Sequence, residues 1–112
     1  MCKRKKEKKS EFRTCFSRKA KGHPTYIYAK VGDKYEYIGL THSPITRGMK
    51  NIPLDVNPNP NESEQAYIKP NVESEKVKFF EKKPKSSWKF SRKDKKKVRK
   101  IIRNSKRKKT DH

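Results

Sequence analysis

The chain has 112 residues, a net charge of +21, 29% hydrophobic residues and 40% charged ones. That length holds one small domain, and the composition is too polar for every part of it to pack. A membrane-spanning protein is excluded, because no window approaches the roughly 18 apolar residues that a span requires.

The charge is unevenly distributed. Residues 1–22 hold ten Lys/Arg against two Glu (net +8), residues 23–79 hold seven of each sign, and residues 80–112 hold sixteen against three (net +13). A neutral, foldable middle therefore lies between two basic flanks. Such flanks suit a polyanion, since each cation that neutralises a phosphate releases a condensed counterion. Nucleic acid is the expected partner. An anionic membrane surface competes for it, but the flanks offer few bulky apolar residues to insert.

The chain opens with MCKRKKEKK, a block of like charge that repels itself. This predicts a disordered basic arm over residues 1–21, one domain over 22–105 and a basic tail over 106–112, with the flanks folding on a nucleic-acid or protein partner. Lys3–Lys6 fits a nuclear-localisation cluster as well as it fits phosphate contacts. The basic start is not followed by an apolar secretory region, so the expected location is the cytoplasm, or the nucleus in a eukaryote. Cys2 and Cys15 form no C-x-x-C pair and are expected as reduced thiols. Phe12, Cys15 and Phe16 give the end of the arm enough apolar character for one turn or a short docking strand.

The organising stretch is HPTYIYAKVGDKYEYIGLTHS, residues 23–43. Two runs rich in Tyr, Ile and Val, Thr25 to Val31 and Lys34 to Thr41, flank Gly32-Asp33, which predicts a β-hairpin with a two-residue turn. Regular pairing from that turn sets Ile27 opposite Ile38, Tyr28 opposite Tyr37 and His23 opposite His42. It also divides the faces. Ile27, Ala29, Val31, Ile38 and Leu40 form an aliphatic core face; Tyr26, Tyr28, Tyr35 and Tyr37 form the other, either a second core layer or a platform on which bases stack.

After a polar loop over 43–51, Ile52-Pro53-Leu54 suits a short edge strand, because proline cannot donate into a central ladder. Asn57-Pro58-Asn59-Pro60-Asn61 excludes helix and predicts an ordered turn or rigid loop. Ala66–Lys69 is expected as a third strand ended by Pro70, and Val77–Phe80 as a further strand. Ser91 followed by Asp94 resembles a capping box, and Val98, Ile101 and Ile102 recur at helical spacing, so a helix is expected over about 92–105, docked on the aliphatic face of the hairpin. The predicted fold is α+β, a small antiparallel sheet nucleated by the hairpin and covered by this helix.

Three groups of residues carry candidate chemistry. His23 and His42 can supply the base and acid for in-line cleavage of RNA without a metal, with Arg47, Lys50 or Lys30 stabilising the phosphate. Tyr26, Tyr28, Lys30, Tyr35 and Tyr37, with Lys50, match the way single-stranded nucleic acid is held by stacking and charge. Arg92, Lys96, Arg99, Lys100 and Arg103 on the C-terminal helix are candidate phosphate contacts. No metal site is expected, because no Cys or Asp completes a zinc ligand set with the histidines, and no cofactor motif is present.

His23-Pro24, Gly39-Leu40-Thr41-His42-Ser43, Asn57-Pro58-Asn59-Pro60 and Tyr67-Ile68-Lys69-Pro70 together resemble small basic proteins carried by bacterial mobile elements, over about residues 22–95. That resemblance brings no established activity. A more distant one is to ribonuclease toxins of the barnase and RelE type, which combine a short basic helix with an antiparallel sheet bearing His, Arg, Lys and Tyr. The expected function is nucleic-acid binding, with RNA ahead of DNA. The alternatives are a metal-independent endoribonuclease using the histidine pair, and a structural component of a ribonucleoprotein or mobile-element complex.

Overall fold

The structure is a computed structural model that describes residues 6–110, with side chains through residue 105. In chain order its strands are β1 (Lys6–Cys15), β2 (His23–Val31), β3 (Lys34–Thr41), β4 (Ile45–Thr46), β5 (Met49–Lys50), β6 (Ile52–Pro53) and β7 (Tyr67–Lys76). A 3-10 turn at Val77–Phe79 and a helix, α1 (Arg92–Thr110), follow. An antiparallel sheet runs in the order β1-β2-β3-β7-β6, and β4 pairs with β5 as a separate ribbon. The fold is α+β, as the hairpin and the terminal helix imply. Among the described residues, no helix is long and apolar enough to cross a membrane.

The hairpin forms at the expected turn. Gly32 takes φ 62° and Asp33 does not enter the left-handed region, the sign pattern of a type II′ turn. Val31 then faces Lys34, Lys30 faces Tyr35 and Ala29 faces Glu36. Beyond Ala29 the regular pairing fails. The partners become Ile27–Tyr37, Tyr26–Ile38 and Thr25–Gly39, because a bulge at Tyr28 inserts one extra residue into β2.

That single residue redistributes both faces. Tyr26 and Tyr28 join Ile38 and Leu40 on the helix side, whereas Ile27 joins Tyr35 and Tyr37 on the opposite side. The expected all-tyrosine and all-aliphatic faces are therefore replaced by two mixed ones. Each has its own core. Under α1, Phe12, Ile38, Leu40, Leu54, Ile68, Phe90, Val98 and Ile101 are buried together. On the other face, Cys15, Ala20, Ile27, Tyr35, Tyr37 and Phe80 form the second cluster.

β1 also departs from expectation. The segment from Lys6 onward, expected as part of a disordered arm, pairs with β2 along Lys6–Cys15, and residues 1–5 lie outside the described residues. Ion pairs offset its repulsion, Lys9 lying near both Glu7 and Glu11. Arg13 donates to Glu11 at 2.7 Å, and Lys6 lies 3.4 Å from Glu36. Its outer edge is covered by residues 79–85: the amides of Phe16, Glu81 and Lys85 exchange bonds with Phe79, Thr14 and Phe12, and the Arg13 guanidinium donates to the carbonyls of Glu81 and Lys82. These bonds close the edge from Phe12 to Phe16 to a further strand.

β7 runs through Pro70 instead of ending there. Its pairing with β3 shifts between Ile38–Val72 and Leu40–Ile68, and Pro70 falls inside that irregularity, where the ladder needs no donor. Gly39 lies at the same place, and a Cβ on it would sit 3.2 Å from Lys69 Cδ. Val77–Phe79 is a 3-10 turn, not a strand. α1 begins at Arg92 as expected and continues to Thr110, past the expected end near Ser105.

The helix start is fixed by Asp94. Ser91 Oγ accepts the Asp94 amide at 3.2 Å, the first half of the expected capping box. The Asp94 carboxylate turns inward instead of completing the box. It accepts the amides of Asp55 and Val56 at 2.8 and 3.1 Å and lies 3.2 Å from Lys97 Nζ, fully buried. Burial pushes its pKa up, but the two amides, with Lys97 and Ser91, outweigh burial and hold the carboxyl below the usual range. Its stabilising contribution is thus complete above roughly pH 3.9, the ordinary aspartate value, and is lost as pH falls through the lower folded-state value. Asp94→Ala is expected to lose about 2–3 kcal/mol by taking a charged acceptor from two part-buried amides. Thermal melts across an acid series check both points, with Asp94→Asn showing a smaller acid-dependent loss than the parent.

Candidate active site

The two histidines meet at one end of the sheet. His23 opens β2 and His42 follows β3, so the antiparallel pairing of these strands brings both to the same edge despite the bulge. Both line a cleft of about 240 Å³, and both side chains are exposed. Its other walls are Thr14 of β1, Leu40 and Thr41 of β3, Asn57, Asn59 and Glu62 of the Asn-Pro loop, and Lys85 and Trp88 of the segment before α1.

The Asn-Pro loop is built to hold its shape. Asn57 Oδ1 accepts the Asn59 amide at 2.9 Å, and Asn59 Oδ1 accepts the Asn61 amide at 2.9 Å, so consecutive Asx turns alternate with prolines that fix φ. Asn57 Nδ2 then donates to the Glu64 carbonyl at 3.0 Å and to Glu62 Oε2 at 3.3 Å. The loop delivers one carboxylate to the cleft, with Glu62 Oε2 3.1 Å from His42 Nε2.

Hydrogen bonding from His42 is the largest cause of a lowered Glu62 pKa; desolvation, next in size, opposes it, and Asn57 adds to the lowering. Glu62 is therefore ionised at neutral pH and can only accept. His42 therefore donates from Nε2, and in the neutral tautomer that does so the lone pair is on Nδ1. The geometry makes an oriented imidazole with a carboxylate behind it, a second imidazole across the cleft and an ammonium nearby. Lys85 Nζ lies 3.0 Å from Glu81 Oε1 and 5.3 Å from the centre of the Trp88 ring. Among the described residues, no three His, Cys, Asp or Glu side chains gather as metal ligands.

Other expected site residues lie elsewhere. Arg47, grouped with the histidines on sequence grounds, sits at φ 51° in the β4–β5 turn and lines a separate hollow with Lys19, Lys69 and Asn71. Lys50 is exposed on β5. Lys30 stands beside the hairpin turn, and the rise of a strand puts it on the order of 20 Å from His23. Tyr35 and Tyr37 are buried, 6% and 2% exposed, which closes them to base stacking. Burial, followed by Glu73, pushes the Tyr37 hydroxyl well up, and burial with Glu36 does the same for Tyr28. Only Tyr26 reaches a surface hollow. On α1, Arg92 is exposed, and Lys96, Arg99, Lys100 and Arg103 line a shallow groove of about 410 Å³.

Glu62, Asn57, Lys85 and Trp88 are cleft residues that the sequence reading did not single out. The available signal for Glu62 was an acid in a rigid Asn-Pro loop of a lysine-rich chain. The chain matches no family model, and no curated protein or solved structure matches it.

The Glu62–His42 contact makes a direct prediction. The Glu62 carboxyl, followed by NMR, should titrate below the usual glutamate range, and His42→Ala should move it upward, because the dominant cause of the lowering is removed. An unchanged titration in His42→Ala would show that the two side chains do not meet in solution.

Proposed function

We propose that the protein binds RNA and cuts it as a metal-independent endoribonuclease, with His42 as base and His23 as acid. The observation that carries this reading is the convergence of both histidines on one cleft, with Glu62 hydrogen-bonded to His42. His42 Nδ1 takes the proton of a ribose 2′-hydroxyl, and the 2′-oxygen attacks the adjacent phosphorus. The bond from phosphorus to the 5′-oxygen breaks, and protonated His23 gives its proton to that leaving oxygen. One histidine gains a proton and the other loses one, leaving a 2′,3′-cyclic phosphate and a 5′-hydroxyl end. Glu62 fixes the tautomer of His42 and stabilises the imidazolium that forms, and Lys85 stands where charge develops on the phosphoryl oxygens. The need for a 2′-hydroxyl makes RNA the substrate and excludes DNA from the chemical step.

Affinity comes from phosphate neutralisation. The groove along Lys96, Arg99, Lys100 and Arg103 has no acidic residue in its lining, so its charge is available to a backbone. The same groove favours a second reading, in which the protein holds intact RNA as a binding module or as part of a ribonucleoprotein.

The test is incubation of the purified protein with single- and double-stranded RNA and DNA in chelator, following retention and strand integrity across a salt series. RNA should be cut to cyclic-phosphate ends, and His42→Ala or His23→Ala should lose about 100-fold or more of the rate while still retaining RNA. A single deoxynucleotide at the cut position should block cleavage there. Salt-sensitive retention of RNA that stays intact would leave the binding module in place of the nuclease.

A further inference from the structure

Trp88 lines two hollows at once. It forms a wall of the histidine cleft and also a wall of a second hollow of about 380 Å³, which contains Tyr26, Lys89, Phe90, Lys95 and Arg99. Arg99 in turn belongs to the groove along α1. The three depressions thus form a connected series, joined at Trp88 and at Arg99.

The ring is held, and a long flexible side chain covers it: Lys85 Nζ stands over it at 5.3 Å and must swing aside for a base to stack there. Phe12 packs against it at 5.8 Å between centroids with a 53° tilt, while the residue as a whole is only half-buried. Its backbone is fixed from both directions: the Trp88 amide donates to the Lys85 carbonyl at 3.1 Å, and the Lys85 amide donates to the Phe12 carbonyl at 2.8 Å, on the edge of β1. A tryptophan serving only as core would bury its ring within one cluster. This one sits where two openings meet, with Lys85 on the ring and Lys89, Lys95 and Arg99 beyond it.

We infer that Trp88 is the stacking platform for a base flanking the cut phosphate, and that single-stranded RNA runs from the histidine cleft over Trp88 onto the basic face of α1. This rests on the reading of the histidine cleft as the RNA site. The strand must be single, because a base inside a duplex cannot leave its stack to lie on an aromatic ring without losing its pairing. The cations along the path follow the phosphates, and the ring accepts any base, since every base has a π-face. The expected preference is for unpaired RNA with little dependence on sequence at the stacked position.

Trp88 is the sole tryptophan of the chain, so intrinsic fluorescence reports on this ring alone. The experiment titrates the full-length protein with a 2′-O-methyl oligoribonucleotide, which lacks the nucleophile and stays intact, as a single strand and as a duplex. The single strand should quench the fluorescence to saturation, and the duplex, although retained, should quench it weakly. Trp88→Ala should bind the single strand about tenfold or more weakly, with duplex retention nearly unchanged, and Trp88→Phe should recover most of the loss. A far-ultraviolet circular-dichroism spectrum and a thermal melt that match the parent's show that the variant is folded. Quenching together with absence of RNA cutting would uphold the platform and overturn the nuclease. Cutting by the parent protein without quenching would overturn the platform and leave the nuclease, as would equal single-strand affinity of Trp88→Ala and its parent. Absence of retention for every nucleic acid would overturn both.

Discussion

A buried carboxylate joins the two halves of this molecule. Asp94 belongs to the first turn of α1, yet its oxygens take the amides of Asp55 and Val56, immediately before the Asn-Pro loop. Three groups therefore share one anion: the helix N-terminus, which favours negative charge, the loop amides, and Lys97. Through this contact the docking of the helix and the position of the loop that carries Glu62 are set together. Lys97 extends the tie by donating to the Pro53 carbonyl at 2.8 Å, next to the edge strand. In a chain of net charge +21 an acid at this position does more than a neutral cap, because the first turns of the helix it anchors are crowded with lysines.

The basic flanks are accommodated by different means. In β1, acids alternate with lysines, and the strand pairs with β2 on one side and is covered by residues 79–85 on the other. Its charge is spread along an edge that the backbone closes from Phe12 to Phe16. α1 buries Val98 and Ile101 in the core and leaves its other faces cationic, with only Asp94 as an acid within Arg92–Ser105. That helix carries a surplus of positive charge, and Arg99, Lys95, Lys96 and Lys100 present it along the hollow at Trp88 and the groove beside it.

Local chemistry made much of this fold legible. Gly32-Asp33 set the turn, Val31 and Lys34 the first pair, Ser91 the helix start and the Asn-Pro run the rigid loop. The missed features depend on partners distant in sequence. A like-charged block reads as disordered until a strand edge is available to pair with it, as β2 is for Lys6–Cys15. Pro70 reads as a terminator until β3 and β7 slip past each other around it. The bulge at Tyr28 is the hardest case, because Thr25–Val31 is an unbroken β-forming run with no glycine to mark it. One inserted residue exchanged the faces of Tyr26 and Ile27, and with them the expected tyrosine platform. Of the candidate site, the two histidines were legible from the hairpin, but their surroundings were not, since Glu62 and Lys85 come from loops whose placement depends on Asp94 and on the edge of β1.

The bulge also bears on why the histidines still converge. Cleavage needs a base and an acid on opposite sides of one phosphate, a demand on position more than on strand register. His23 and His42 lie beyond the last hydrogen-bonded pair of β2 and β3, Thr25–Gly39, so a slip of one residue displaces them without sending either to the far side of the sheet. Side chains at strand ends are less constrained by the alternation that governs the interior, and Pro24 beside His23 and the Thr41 hydroxyl, which accepts the Ser43 amide at 3.1 Å, hold the two ends in place. On the proposed reading, imidazoles at one end of the sheet, with one carboxylate brought by a proline-stiffened loop, keep their geometry while remaining open to a long polyanion. A deep pocket would admit a nucleotide but exclude a chain; the proposed path from an exposed cleft over Trp88 toward the cationic helix would admit the chain.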